Sequence, residues 1–267
     1  MQTPLTAPSV QPQSLSTSHQ NDLGIDRAFV LQMAQVPFFA LGFVLLAWLS
    51  DLLWPAFVGA ETNLRNLGPI VVICLGMILA AIIDGWAFKV PNWLTLSLTL
   101  SGWLLGLLHS FNVPIDGGVG GIGSALLGTV VGFALLFPML AIGGMGQGDV
   151  KMQMGFGAWI GAYFGGRDAV EIVAVAFCIG AVVGGVFGLI MMVLRRQFQK
   201  NANNFREILT DLRVMATMGP AAAAERANQR RPTWVRLPYG VPLCVGFVGY
   251  LWYLYLQNNP SMLIAVG

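Results

Sequence analysis

Two aspartates stand at the ends of long apolar segments, where an acidic side chain needs a physical reason. Asp84 ends the run CLGMILAAIID, and Asp149 follows the glycine-rich stretch GGMGQG at 143–148. On insertion scales an acid at the centre of a membrane helix costs about 2.5–3.5 kcal/mol. If the two carboxylates meet, they cannot both ionise and they share a proton. Such a pair can hydrolyse an amide, since one member activates water while the other polarises the carbonyl and protonates the leaving nitrogen.

The residues around Asp149 suit contact with a peptide. Gly146 and Gly148 allow the backbone to pass close to a bound segment, and extended peptides often bind through their main chain. Asp149 stands at the predicted start of a helix, where the helix dipole favours a negative charge. Lys89 and Lys151 either stabilise a charged carboxylate or extend to lipid phosphates, and both interpretations stay open.

The elements that carry these acids are predicted to be membrane helices. The chain has 267 residues, of which 56% are hydrophobic and only 10% charged, whereas soluble domains have roughly 25% charged residues. A helix needs about 20 apolar residues to cross the hydrocarbon core, and in lipid the backbone must satisfy its own hydrogen bonds. The sequence therefore predicts an all-α polytopic bundle with about seven helices, at 28–50, 69–86, 92–109, 118–142, 150–165, 169–194 and 238–257.

Two parts of the chain differ from this pattern. Residues 1–25 are rich in Pro, Gln, Ser and Thr and contain no Lys or Arg, which is typical of a disordered tail. The membrane domain is predicted over 26–267, and it includes a basic loop at 195–236 with nine of the fourteen Lys and Arg residues. The positive-inside rule makes that loop cytoplasmic. Counting helices back from it places the tail, Asp84 and Asp149 on the cytoplasmic side.

The basic loop also predicts a partner. Apolar residues recur at helical spacing through Phe205, Leu209, Leu212 and Met215, which is typical of an interfacial helix on anionic lipid. A nucleic-acid partner is not expected, because the sequence shows no folded nucleic-acid-binding domain beside these basic residues.

Small residues are expected to pack two helices closely. Gly120, Ser124, Gly128 and Gly132 recur every four residues, and Gly180, Gly184 and Gly188 do the same. Such stripes let helix backbones approach in lipid. No metal site is expected, because the sequence contains neither CxxC nor HExxH.

Three motifs resemble the prepilin peptidases. DGWAFKVPNWLT (84–95) is similar to their first signature, an acid followed by Pro-Asn, here Asp84, Pro91 and Asn92. GMGQGDVKM (144–152) is similar to their GxGD signature, here Gly146, Gly148, Asp149 and Lys151. LPYGVPLCVG (237–246) is similar to the Pro-Tyr-Gly segment that opens their last helix, here with Pro238 and Tyr239.

The resemblance implies an intramembrane aspartyl protease of the bacterial inner membrane that needs no cofactor. Asp84 and Asp149 match the two catalytic acids, and the substrate is a type IV prepilin or pseudopilin whose leader is cut at the cytoplasmic face. The lack of CxxC motifs implies the short, peptidase-only form without an N-terminal methylating domain. A homo-oligomer is left open.

A function from another class would use the same acids differently. In a proton-coupled transporter or a non-enzymatic membrane subunit, the acids relay protons or pair structurally. Relay acids usually lie deeper, near the middle of the membrane and among polar cavity residues. Both acids here stand at helix ends, and the sequence contains no evident inverted repeat, so the peptidase is the favoured prediction.

Overall fold

The computed structural model describes residues 27–58, 67–87, 89–113, 115, 118–142, 144–194, 198–230 and 238–258. The predicted tail lies outside them. The described residues are helical apart from turns, and the helices are α1 Arg27–Val58, α2 Gly68–Ala87, α3 Asn92–Ser110, α4 Ile122–Ala141, α5 Gln147–Phe164, α6 Gly166–Leu194, α7 Phe198–Met218, α8 Pro220–Arg230 and α9 Gly240–Asn258.

The prediction of an all-α membrane bundle is confirmed. Each of the seven predicted segments corresponds to one helix, namely α1 to α6 and α9. The first helix runs on to Val58 rather than ending at about residue 50, because Leu52, Leu53 and Trp54 continue its apolar composition past Asp51. Five helices, α1, α2, α4, α6 and α9, are both long and apolar enough to cross a membrane.

The two remaining helices of the predicted seven, α3 and α5, are the more polar ones because they lie inside the bundle. Four hydroxyl side chains of α3 are buried, Thr95, Ser97, Thr99 and Ser101. Nearly every residue of α5 from Asp149 to Tyr163 is buried, and this helix packs mainly against α3 and α4. Side chains that face other helices can be small or polar, since they do not have to be soluble in lipid.

The small-residue stripe of α4 contacts a glycine stripe of α5. A Cβ atom at Gly128 would overlap the carbonyl oxygen of Gly157, and one at Gly157 would overlap that of Gly128. Farther along the same contact, a Cβ at Gly132 would lie 2.6 Å from the Gln153 carbonyl oxygen. The absence of side chains therefore sets the distance between these two helices. The prediction of close packing is confirmed for α4, and its partner is α5.

Gly128→Ala is expected to lower the stability of the folded protein by about 1–3 kcal/mol, the usual cost of overpacking. The added methyl group collides with backbone, which cannot move aside like a flexible side chain. Thermal unfolding in detergent measures the effect. Gly123→Ala is the matched control on the same helix, because a Cβ there has no atom within 4 Å. Equal unfolding temperatures for the two variants would contradict this account.

The last helix joins the remaining elements of the bundle. Helix α9 packs against α6 and α2, and a Cβ at Gly246 would lie 2.5 Å from the Ala176 carbonyl oxygen of α6. The rings of Phe247 in α9 and Phe156 in α5 lie 3.9 Å apart between centroids. These contacts hold α9 against α6, α2 and the middle of α5.

Most of the predicted basic loop is a pair of helices, α7 and α8, which pack against one another. Arg226 Nε of α8 lies 3.9 Å from Asp211 Oδ1 of α7, and the Asp211 side chain is buried. Ala223 of α8 is fully buried, and α8 also contacts α4. The amphipathic stretch expected in this loop lies within α7.

Candidate active site

Asp84 lies in the last turn of α2 with its side chain buried, at 5% relative exposure. Its Oδ2 accepts a hydrogen bond of 2.9 Å from the backbone N–H of Gly240, the first residue of α9. A Cβ at Gly240 would lie 2.8 Å from the same oxygen. Only glycine allows the α9 backbone to approach the carboxylate this closely.

Asp149 lies in the first turn of α5 and is buried to a similar extent, at 6%. Its Oδ2 accepts a hydrogen bond of 3.3 Å from the backbone N–H of Gly146, which caps the helix. This bond satisfies one of the amide groups that a helix start leaves free. Its Oδ1 is buried and has no hydrogen-bond partner in the described part of the chain.

The two carboxyl groups are neighbours. Asp84 and Asp149 interact electrostatically, and the helices that carry them, α2 and α5, pack against each other. Each carboxylate is held by a glycine N–H from a different segment, Gly240 for Asp84 and Gly146 for Asp149. The structure therefore brings together two buried acids that are 65 positions apart in the chain, as 149 minus 84 gives.

The residues that follow Asp84 in the chain support the beginning of α5. Lys151 Nζ donates a hydrogen bond of 2.8 Å to Asn92 Oδ1, which ties α5 to α3. Pro91 caps α3 in an extended conformation. A Cβ at Gly148 would lie 3.3 Å from Val90, so this glycine lets the beginning of α5 approach the segment before α3. Lys89 is exposed to solvent.

The segment before α9 lies beside both acids. Pro238 and Tyr239 are half-buried and directly precede Gly240, which binds Asp84. Burial raises the pKa of Tyr239, and the neighbouring charge of Asp149 raises it further. The phenol therefore keeps its proton at neutral pH and can donate a hydrogen bond at the site.

Two residues at this site were not predicted as site residues. Gly240 contributes a backbone N–H, and it belongs to the Pro-Tyr-Gly motif that supplied Pro238 and Tyr239. Gln153 is a fully buried amide one turn after Asp149. The sequence could have indicated it, because Gln153 is a polar residue in an apolar helix and lies on the same side of that helix as Asp149.

The arrangement is suited to proton transfer at a polar bond. Two neighbouring carboxyl groups in a buried site can differ in protonation, so that one acts as a base and the other as an acid. Among the residues described here, no group of three or more His, Cys, Asp or Glu side chains is placed to hold a metal ion.

Comparison with known proteins agrees with the motifs. Residues 71–189 match the model of the type IV leader peptidase family. Prepilin leader peptidase/N-methyltransferases of Aeromonas salmonicida, one of them from strain A449, are 29% identical over 151 residues. The same-named protein of Aeromonas hydrophila is 28% identical over 149 residues. No solved structure matches the chain.

The match is partial on both sides. The alignment with the Aeromonas salmonicida proteins covers 53% of this chain and 46% of each of them. The alignment with the Aeromonas hydrophila protein covers 52% of this chain and 46% of that protein. The chain thus spans about half the length of these curated relatives. The range 71–189 includes both acids, and Pro238 and Tyr239 lie beyond it. The resemblance to the prepilin peptidases is confirmed over that range.

Proposed function

We propose that this chain, which matches the type IV leader peptidase family over 71–189, is a membrane-embedded aspartyl endopeptidase. Its substrate is a type IV prepilin or pseudopilin, from which it removes the leader at the cytoplasmic face of the bacterial inner membrane. The observation that supports this proposal is a pair of buried acids on two helices that pack against each other, with Asp84 bound by the backbone N–H of Gly240 and Asp149 by that of Gly146.

In the proposed mechanism the precursor keeps its apolar helix in the bilayer and unwinds close to Gly146, just before α5. The exposed backbone at Gly146 leaves room for an extended peptide there. The ionised carboxylate removes a proton from water as the water attacks the scissile carbonyl carbon. The protonated carboxyl polarises the carbonyl oxygen and then protonates the leaving nitrogen. No covalent enzyme intermediate forms.

The alternative use of the acids, in a proton-coupled transporter or a non-enzymatic subunit, has less support. Asp84 is three residues from the end of α2, and Asp149 is the third residue of α5. Both acids thus lie near one face of the bundle, where a peptide at the membrane surface can reach them. The acids of a proton pathway usually lie near the middle of the membrane.

Cleavage of a co-expressed prepilin tests the proposal. A prepilin with a tag after its apolar helix is expected to lose its leader only when the wild-type chain is present, with the new N-terminus read by mass spectrometry. The same prepilin with its cleavage-site residue replaced is the control. Proton uptake by proteoliposomes that contain the chain, together with uncut prepilins, would support the transporter instead.

We also propose that α7 lies on anionic lipid of the inner leaflet. Leu209, Met218 and Arg213 of this helix are exposed, so apolar and basic groups are available to a membrane surface, and each basic residue there contributes about 1 kcal/mol. In nanodiscs, anionic lipid is expected to slow trypsin cleavage after Arg213 more than zwitterionic lipid does, and high salt should remove the difference. Equal cleavage in both lipids would contradict the proposal.

Homo-oligomerisation and the absence of a methylating activity stay predictions.

A further inference from the structure

Gln153 is a fully buried side chain that the proposed mechanism does not use. Its exposure is 0%, and neither Oε1 nor Nε2 has a hydrogen-bond partner among the described residues. A side-chain amide has two donors and an acceptor with two lone pairs. Leaving a buried polar group unpaired costs about 1–3 kcal/mol, so a fully buried amide of this kind calls for a ligand.

The position of Gln153 on α5 follows from helix geometry. Successive residues are about 100° apart around an α-helix, so Gln153 lies between Asp149 and Gly157, about 40° from each. The Asp149 side of α5 faces α2 and α9, as the contacts with Asp84 and between Phe156 and Phe247 indicate. The Gly157 side faces α4. Gln153 therefore points between α9 and α4, a direction in which α6 packs against both.

A second unpaired atom lies one turn away. Asp149 Oδ1 is buried and also has no hydrogen-bond partner in the described part of the chain. Residues four apart on a helix have Cβ atoms about 5–6 Å apart, so the ends of the Gln153 and Asp149 side chains can come within reach of one bridging water molecule, whose two hydrogen bonds span about 4.5 Å. Buried waters typically make about three hydrogen bonds to buried polar groups that have no other partner.

We propose that Gln153 and Asp149 Oδ1 hold a buried water molecule, and that Gln153 positions Asp149 through it. Gln153 Nε2 donates to the water oxygen, and the water donates one proton to Asp149 Oδ1. With Gly146 N–H on Oδ2, both oxygens of the carboxylate are then fixed from the protein side. The role in catalysis rests on the proposed peptidase function, but the water site itself does not.

The substitution Gln153→Met tests both the water site and the positioning of Asp149. Methionine is unbranched and of similar length, but it cannot hold the water. With the purified full-length chain and a prepilin in detergent, kcat is expected to fall about tenfold, the factor for one lost hydrogen bond. KM should stay within about twofold, because Gln153 is fully buried inside the bundle and cannot contact a bound peptide directly. The melting temperature is expected to fall, since Asp149 Oδ1 then loses its partner.

Thr129→Val is the matched control. Thr129 is a buried polar residue of α4 whose hydroxyl has partners, accepting from Trp103 Nε1 and donating to the Ala125 carbonyl. This variant is expected to lose melting temperature and keep its kcat. If both variants lose kcat in proportion to stability, or if Gln153→Met keeps the wild-type kcat, the positioning role is overturned.

The melting temperature also tests whether the water is present, independently of any cleavage measurement. If the site holds no water, methionine replaces an amide that makes no hydrogen bond, and the melting temperature of Gln153→Met rises above the wild type. That result overturns the inference even if the prepilin is cut. A wild-type chain that cuts no prepilin overturns the proposed function, while a lowered melting temperature of Gln153→Met still supports the water.

Discussion

Asp84→Asn and Asp149→Asn are each expected to lower the rate of prepilin cleavage by at least about 10³-fold, within the range for loss of general acid–base catalysis. An asparagine amide neither accepts a proton from water nor donates one to the leaving nitrogen. Its oxygen still accepts the hydrogen bond that Gly240 or Gly146 donates to the native carboxylate. The variants should therefore stay folded and inserted, and the measurement is the cleaved fraction of prepilin over time.

The double variant gives a second test of the pair. Residues that act as one unit are strongly non-additive, so Asp84→Asn with Asp149→Asn should be about as inactive as either single variant. Asp168→Asn is the control, because this acid is exposed at the beginning of α6, and it should cut at the wild-type rate. Cleavage at the wild-type rate by either single variant would contradict the assignment of Asp84 and Asp149 as the catalytic acids.

Gly240→Ala is expected to reduce cleavage by about 10²-fold, the scale of a loss from a misplacement of about 1 Å at a reacting group. The new Cβ would lie 2.8 Å from Asp84 Oδ2 and 3.0 Å from Asp84 Cβ. Either the carboxyl group or the beginning of α9 must move, and the hydrogen bond from Gly240 N–H to Asp84 lengthens. The expected loss is mainly in kcat, as the change acts on the reacting group rather than on peptide binding.

Gly249→Ala provides the comparison for this prediction. Gly249 lies on the same helix, α9, and a Cβ there has no atom within 4 Å, so its cleavage rate should match the wild type. Both variants should insert into the membrane to the same extent. A Gly240→Ala protein that cuts as fast as Gly249→Ala would mean that the contact between α9 and Asp84 does not position the carboxylate.

Much of the site was predictable from local signals. Asp84 and Asp149 stood out because an acid at the end of an apolar run is costly and needs a reason. The positive charge of the 195–236 loop predicted that both lie on one side of the membrane. The motifs then linked them to a family, and the match over 71–189 agrees with that link. Six further residues have roles that stay predictions, namely Lys89, Lys151, Pro91, Asn92, Pro238 and Tyr239. Among them, the hydrogen bond from Lys151 to Asn92 connects α5 to α3.

The sequence by itself determined the all-α membrane bundle, its helical segments and the two candidate acids, because apolar length, charge placement and short motifs are properties of neighbouring residues. The tertiary structure alone decided what each acid contacts. The Gly240 N–H that binds Asp84 is 156 positions away, and the stripe on α4 meets its partner glycines only when α5 packs against it. The burial of Gln153 likewise depends on the helices around α5. Hydrogen bonds and steric contacts between distant segments depend on how helices pack, and spacing along one helix carries no record of that packing.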